Sequence, residues 1–125
     1  MVKQLFRVVV VAAWLGSGSA WADGPAAKLV DGAEAHRLVK EGVKVVDVRT
    51  AQEFAAGHVP GAVNIPFDEI EKRAAELGPP GTKVLLYCRT GRRSGIAAET
   101  LRAKGYTNLF DLQAYDRWVA SEPAK

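Results

Sequence analysis

Two stretches, VKVVDV (43–48) and KVLLY (83–87), are rich in aliphatic and β-branched residues and lack the in-out alternation of a half-exposed strand. Short runs of that kind predict strands buried on both faces. AVNI (62–65) and TNLF (107–110) predict two shorter strands. Between them the apolar spacing becomes helical, over AEAHRLVKE (33–41), AQEFAA (51–56), FDEIEKRAAEL (67–77) and Arg92 to Lys104. Gly105 then acts as a helix stop, and GPPGT (78–82) is a turn. Strand and helix alternate, which predicts an α/β fold with a mainly parallel central sheet and helices on both faces. Residues 23–125 read as a single domain without internal repeats, with 23–27 and the tail SEPAK (121–125) as frayed ends.

The first 22 residues break that pattern. Lys3 and Arg7 precede the apolar run VVVVAAWLG, and SGSAWA closes on Ala22. Charged, apolar and small-residue zones in that order predict a secretory signal peptide over 1–22. Its apolar core is shorter than the roughly 20 residues of a membrane-spanning helix, so no stable membrane insertion is expected after cleavage. The expected location is outside the cytoplasm, in a bacterial periplasm.

Export changes the charge picture. The full chain has 17 basic and 14 acidic residues; without Lys3 and Arg7 it has 15 against 14, a net +1. A sequence isoelectric point of about 9.2 therefore gives no reason to expect nucleic acid as a partner. The composition, 48% hydrophobic and 25% charged, is that expected of an ordinary soluble globular protein.

Positive charge is concentrated instead in YCRTGRRSG (87–95), which contains the chain's one cysteine. A single cysteine cannot close an intramolecular disulfide. It is a buried inert thiol, an intermolecular link or a reactive group. Cys88 falls where a central strand gives way to a loop and a helix, the position at which open α/β sheets bind ligands. Arg89, Thr90, Gly91, Arg92, Arg93 and Ser94 supply successive backbone N–H groups, with Gly91 free to take a conformation other residues resist. Such a loop at a helix N-terminus attracts anions. An ordinary cysteine is only about 3% ionised at pH 7, and a helix terminus alone supplies about 0.3–1 kcal/mol toward the anion. Donated N–H bonds and nearby guanidinium groups have to supply the rest.

CRTGRRSG resembles the active-site loop of rhodanese-type sulfurtransferases, in which a glycine follows the cysteine by three positions and an arginine comes two later. The stretch VVDVRTAQEFAAGHVPGAVNIPFDEI (45–70) resembles the family's other signature, Asp-x-Arg, a glutamate, then Gly-His-x-x-Gly-Ala-x-Asn-x-Pro. The resemblance runs over about residues 26–120 and points to the small exported single-domain members. It implies a rhodanese-like fold and a Cys88 thiolate that takes the outer sulfur of thiosulfate as a persulfide. A thiophilic acceptor such as cyanide or a thiol then removes it, with no cofactor and no metal. It also implies that Arg89, Arg92 and Arg93 draw in the anionic donor.

Asp47 and Arg49 end the neighbouring strand. They either reach the Cys88 crevice or form a local contact, Arg49 with Glu53 or Asp47 with the loop. His58 is expected to order its turn and His36 to lie on a helix surface. Two histidines 22 positions apart with one cysteine do not make a zinc site. One departure stands out: where the family has Gly-Gly before a C-terminal tryptophan, this chain has Gln113-Ala114 ahead of Trp118. That bears on substrate access.

Two rival functions share these residues. A phosphatase or arsenate reductase on the same fold has five residues between cysteine and arginine, and here only four separate Cys88 from Arg93. A persulfide carrier, handing sulfur to a specific protein, uses the same motif and differs only in its acceptor.

Overall fold

A computed structural model describes residues 26–122. The segment 1–22, read as a signal peptide, lies outside the described residues. Five strands form one sheet: β1 (Lys28–Leu29), β2 (Lys44–Asp47), β3 (Val63–Asn64), β4 (Val84–Cys88) and β5 (Leu109–Ala114). Their order is β1-β5-β4-β2-β3, and every pairing is parallel. The α/β class and parallel sheet follow the sequence reading.

All five residues of β4 are buried, as its unbroken apolar run requires. The pleat sends alternate residues to opposite faces. Val84, Leu86 and Cys88 join one core with Val46, Ile65 and Ile70, covered by α3 (Ile70–Arg73) and α4 (Arg92–Ala103). Leu85 and Tyr87 join the other, with Ala35 and Leu38 of α1 (Gly32–Lys40) and Trp118 of α5 (Tyr115–Ala120). A fifth helix, α2 (Ala51–Ala56), follows β2. Thr50 caps it: the Thr50 hydroxyl accepts the Glu53 N–H, and the Glu53 carboxylate accepts the Thr50 N–H. Among the described residues no helix is long and apolar enough to cross a membrane, and no cluster of side chains could hold a metal.

Several elements differ from expectation. β5 begins at Leu109 and runs on to Ala114, because Asp111 is buried inside the strand and interrupts the apolar pattern that would have marked it. β1 is a two-residue edge strand, too short to show a period. The helix expected over 67–77 is three pieces: 3₁₀ turns at Phe67–Glu69 and Ala74–Leu77 flank α3. Its buried positions, Ile70, Ala74 and Leu77, keep helical spacing, so the pattern identified the face while the winding tightened at both ends. α5 was not anticipated; Trp118 docks it, and no side chain caps its start. The expected fraying also fails in part. Ala27 is buried, the Ala26 carbonyl accepts from Arg102 at 3.3 Å, and the Ser121 hydroxyl donates to the carbonyls of Arg117 and Trp118.

The end of α4 is as predicted. Gly105 has φ +99°, its N–H bonds the Arg102 carbonyl, and the Tyr106 N–H bonds that of Leu101, which is a Schellman closure. Gly105→Ala should lower stability by about 1–2 kcal/mol, since only the backbone conformation is at issue. Urea unfolding would show it, and an unchanged midpoint would remove the role assigned to Gly105.

Candidate active site

Cys88 ends β4 on the α4 face of the sheet, fully buried. The chain then turns through Arg89 and Thr90, both exposed, into Gly91 at φ +105°. That left-handed residue aims its N–H at the sulfur, with Gly91 N to Cys88 Sγ at 2.9 Å. Gly91 is also the N-cap of α4 and has no side chain to occupy the helix's first N–H groups. No side-chain hydrogen bond caps those donors, and an uncapped helix N-terminus of this kind suits an anion. The Ser94 hydroxyl lies 3.7 Å from Sγ and donates to the Gly91 carbonyl at 3.2 Å, pinning loop to helix.

The three loop arginines do different things. Arg93 pairs with Glu53, at 3.1 and 3.4 Å. Arg89 is 74% exposed, with Nη1 4.0 Å from the same carboxylate. Arg92 is exposed. So a negative side chain already engages the arginine of the loop motif, while Arg89 and Arg92 are exposed to solvent. The Thr50 backbone N–H and the Arg93 guanidinium outweigh partial burial and hold Glu53 at about 2. The sequence placed Glu53 in the 45–70 signature and offered it as a partner for Arg49; nothing local in the sequence marked it as the partner of Arg93.

Asp47 and Arg49 lie across the sheet from the thiol. Asp47 points with Tyr87 into the second core. There it accepts Arg49 Nη2 at 2.6 Å, the Arg49 backbone N–H at 2.9 Å and the Tyr87 hydroxyl at 2.8 Å. Burial pushes that hydroxyl well above its ordinary range, so it stays protonated and donates. Burial would lower the Arg49 guanidinium, but its bonds to Asp47 outweigh that and raise it. Arg49 also donates to the Gly57 carbonyl and lies over the rings of Tyr115 and Tyr87. The Tyr87 oxygen in turn accepts the Val59 N–H at 3.0 Å. These groups tie the 57–59 turn to the sheet. Of the two alternatives, Asp47 and Arg49 make a local contact, with each other and not with Glu53. His58 orders its turn through Nδ1 and the Phe54 carbonyl, 2.8 Å apart. His36 is half-buried, not a surface group, because its ring stacks on Trp118.

Two residues of β5 complete the site, and only one was singled out from sequence. Asp111 is buried; burial raises its carboxyl, while the Ser94 hydroxyl, the Gln113 N–H and Arg117 pull the other way. A lone acid inside a strand was its only sequence signal. Gln113, at the family's glycine position, has φ +77°, a conformation costing a side-chain-bearing residue about 1–2 kcal/mol. A surface hollow of about 450 Å³, lined by Glu41, Lys44, Gly61 and Lys83, lies at the amino ends of β2 and β4, the far end of the sheet from Cys88.

Comparison with known proteins places this arrangement. Residues 31–121 match the family described as the rhodanese-like domain. Over 72 residues the chain is 38% identical to YrkF of Bacillus subtilis, a candidate sulfur carrier protein, covering 58% of this chain and 38% of that one. Over 65 residues it is 42% identical to PspE of Escherichia coli, a thiosulfate sulfurtransferase, covering 51% and 62%. The chain thus spans less than two thirds of the length of either relative. The human single-domain sulfurtransferase TSTD1 superposes with a TM-score of 0.68 at 30% identity, covering 80% of this chain and 100% of that one.

Two stability experiments test the charge assignments. Asp47→Ala strands Arg49 in the core and should cost about 3–5 kcal/mol in urea unfolding; a loss under about 1 kcal/mol would mean the pair is solvated. Glu53 is depressed in the folded state, so its contribution is complete above about 4.5 and lost as pH falls through about 2. Glu53→Gln should therefore cost about 1–2 kcal/mol at pH 7, after allowance for solvent screening. The gap to wild type should close as the pH falls from about 4.5 toward about 2. A gap that does not vary with pH would rule out the ion pair as its source.

Proposed function

The chain belongs to the rhodanese-like domain family, and on that footing we propose that it is a sulfurtransferase acting through a Cys88 persulfide. The observation that carries the reading is the Gly91 N–H directed at Cys88 Sγ at the start of a helix whose first N–H groups no side chain caps. That geometry suits a thiolate and, next to it, a small anion.

Thiosulfate is the proposed donor. The Cys88 thiolate attacks the outer sulfur, a new S–S bond forms, and the donor's S–S bond breaks with its electron pair leaving on sulfite. Helix N–H groups, Arg89 and Arg92 offset the donor's negative charge during approach, while Arg93, paired with Glu53, fixes the loop. In the second half, cyanide or a thiolate attacks the terminal sulfur and the Cys88 thiolate departs. With cyanide the product is thiocyanate, and the two halves give ping-pong kinetics. No cofactor takes part in this scheme. PspE, named for thiosulfate sulfurtransfer, supports the choice of donor.

A second reading has its own support. YrkF is named as a candidate sulfur carrier, and a carrier would form the same persulfide but deliver it to one protein partner. Phosphate chemistry is disfavoured: the loop is a residue short, and its arginine is paired with Glu53. The charged, apolar and small-residue order of 1–22 supports export to a bacterial periplasm.

Intact mass and turnover test the proposal together. Mature protein treated with thiosulfate should gain the mass of one sulfur atom, lose it on adding cyanide, and form thiocyanate catalytically. Cys88→Ser should stay folded and do neither. Turnover retained in that variant would sink the assignment of Cys88. Persulfide formation without thiocyanate turnover would favour the carrier.

A further inference from the structure

Gln113 is the one residue other than glycine with a positive φ among the described residues. Three features force it there. The β4–β5 ladder slips between Leu86 and Tyr87: Leu86 pairs with Asp111 but Tyr87 with Gln113, leaving Leu112 as a bulge. Leu112 is fully buried in the core on the Tyr87 side, so the bulge cannot relax outward. The buried Asp111 carboxylate accepts the Gln113 N–H at 2.8 Å.

The outcome is a side chain held against the cysteine loop. A β-carbon built on Gly91 would lie 3.2 Å from Gln113 Cβ and 3.6 Å from its Cγ. Gly91 is the residue whose N–H meets Cys88 Sγ, and the neighbour of Gln113, Ala114, is in register with Cys88. The Gln113 stem therefore stands beside the sulfur-binding turn. A glycine at this position would carry neither carbon and would adopt the backbone without strain. Strain retained beside a reactive, fully buried thiol points to a use for the side chain.

We infer that Gln113 is a specificity-determining residue: its side chain narrows the approach to Cys88 and confines the sulfur acceptor to compact nucleophiles, excluding bulky or polypeptide thiols. The acceptor class rests on the sulfur-transfer reading above; the narrowing of access does not.

Cys88 is the only cysteine in the chain, so thiol labelling reports this one site. Wild type, Gln113→Gly and Gln113→Ala are labelled with a compact reagent, iodoacetamide, and a bulky one, pyrene maleimide, each rate normalised to free glutathione. Glycine suits the left-handed backbone and should fold. Alanine keeps the strain but loses the side chain beyond Cβ, so it separates bulk from backbone relief. The bulky-to-compact ratio should rise about tenfold in Gln113→Gly and by part of that in Gln113→Ala. In turnover, kcat/KM for glutathione should rise relative to that for cyanide in the same order. A ratio unchanged in both variants overturns the inference, and so does a rise confined to Gln113→Gly. A shifted labelling ratio in a protein that forms no persulfide would refute sulfur transfer and leave the access role standing. Turnover with an unchanged ratio would do the reverse.

Discussion

The pleat of β4 governs everything else in this molecule. A strand buried on both faces must send consecutive side chains into different cores, and here the consecutive residues are Tyr87 and Cys88. Tyr87 becomes the centre of a hydrogen-bonded group with Asp47 and Val59, beside Arg49. Cys88 becomes the last residue before the turn into α4. The structural polar network and the free thiol are one residue apart in sequence and separated by the sheet in space.

That separation matters for charge. Asp47 and Arg49 neutralise each other in the second core, where an unpaired ion would be costly. On the thiol's side Glu53 engages Arg93. The donor seen at the thiol is therefore the Gly91 backbone N–H, and the loop arginines are not a bare cluster of three guanidinium groups. Backbone donors are fixed by the fold, so they need no reorganisation when a charge forms nearby.

The strand that packs beside the cysteine loop is not regular. Asp111 sits buried between Leu109 and Leu112, and the bulge beyond it turns Gln113 toward Gly91. The glycine in the loop and the glutamine in the strand are complementary: one has no side chain where the other's stem lies. Together they bring β5 into the cysteine site.

The sequence alone determined the two central strands, the parallel α/β arrangement and the location of the thiol. Buried parallel strands are locally apolar, so 43–48 and 83–87 could be read without any partner, and Gly91 and Gly105 mark turns by their own backbone freedom. The two motifs around Asp47 and Cys88 likewise carry the family resemblance. Tertiary structure decided which charges meet. Glu53 and Arg93 are 40 positions apart, and no local pattern says that this carboxylate would take the loop arginine while Arg49 took Asp47. The same holds for β1, too short to have a period, for α5, fixed by burial of Trp118, and for the bulge at Leu112. Local propensity acts over a few residues, whereas ion pairs, bulges and helix docking are settled by what the sheet brings alongside.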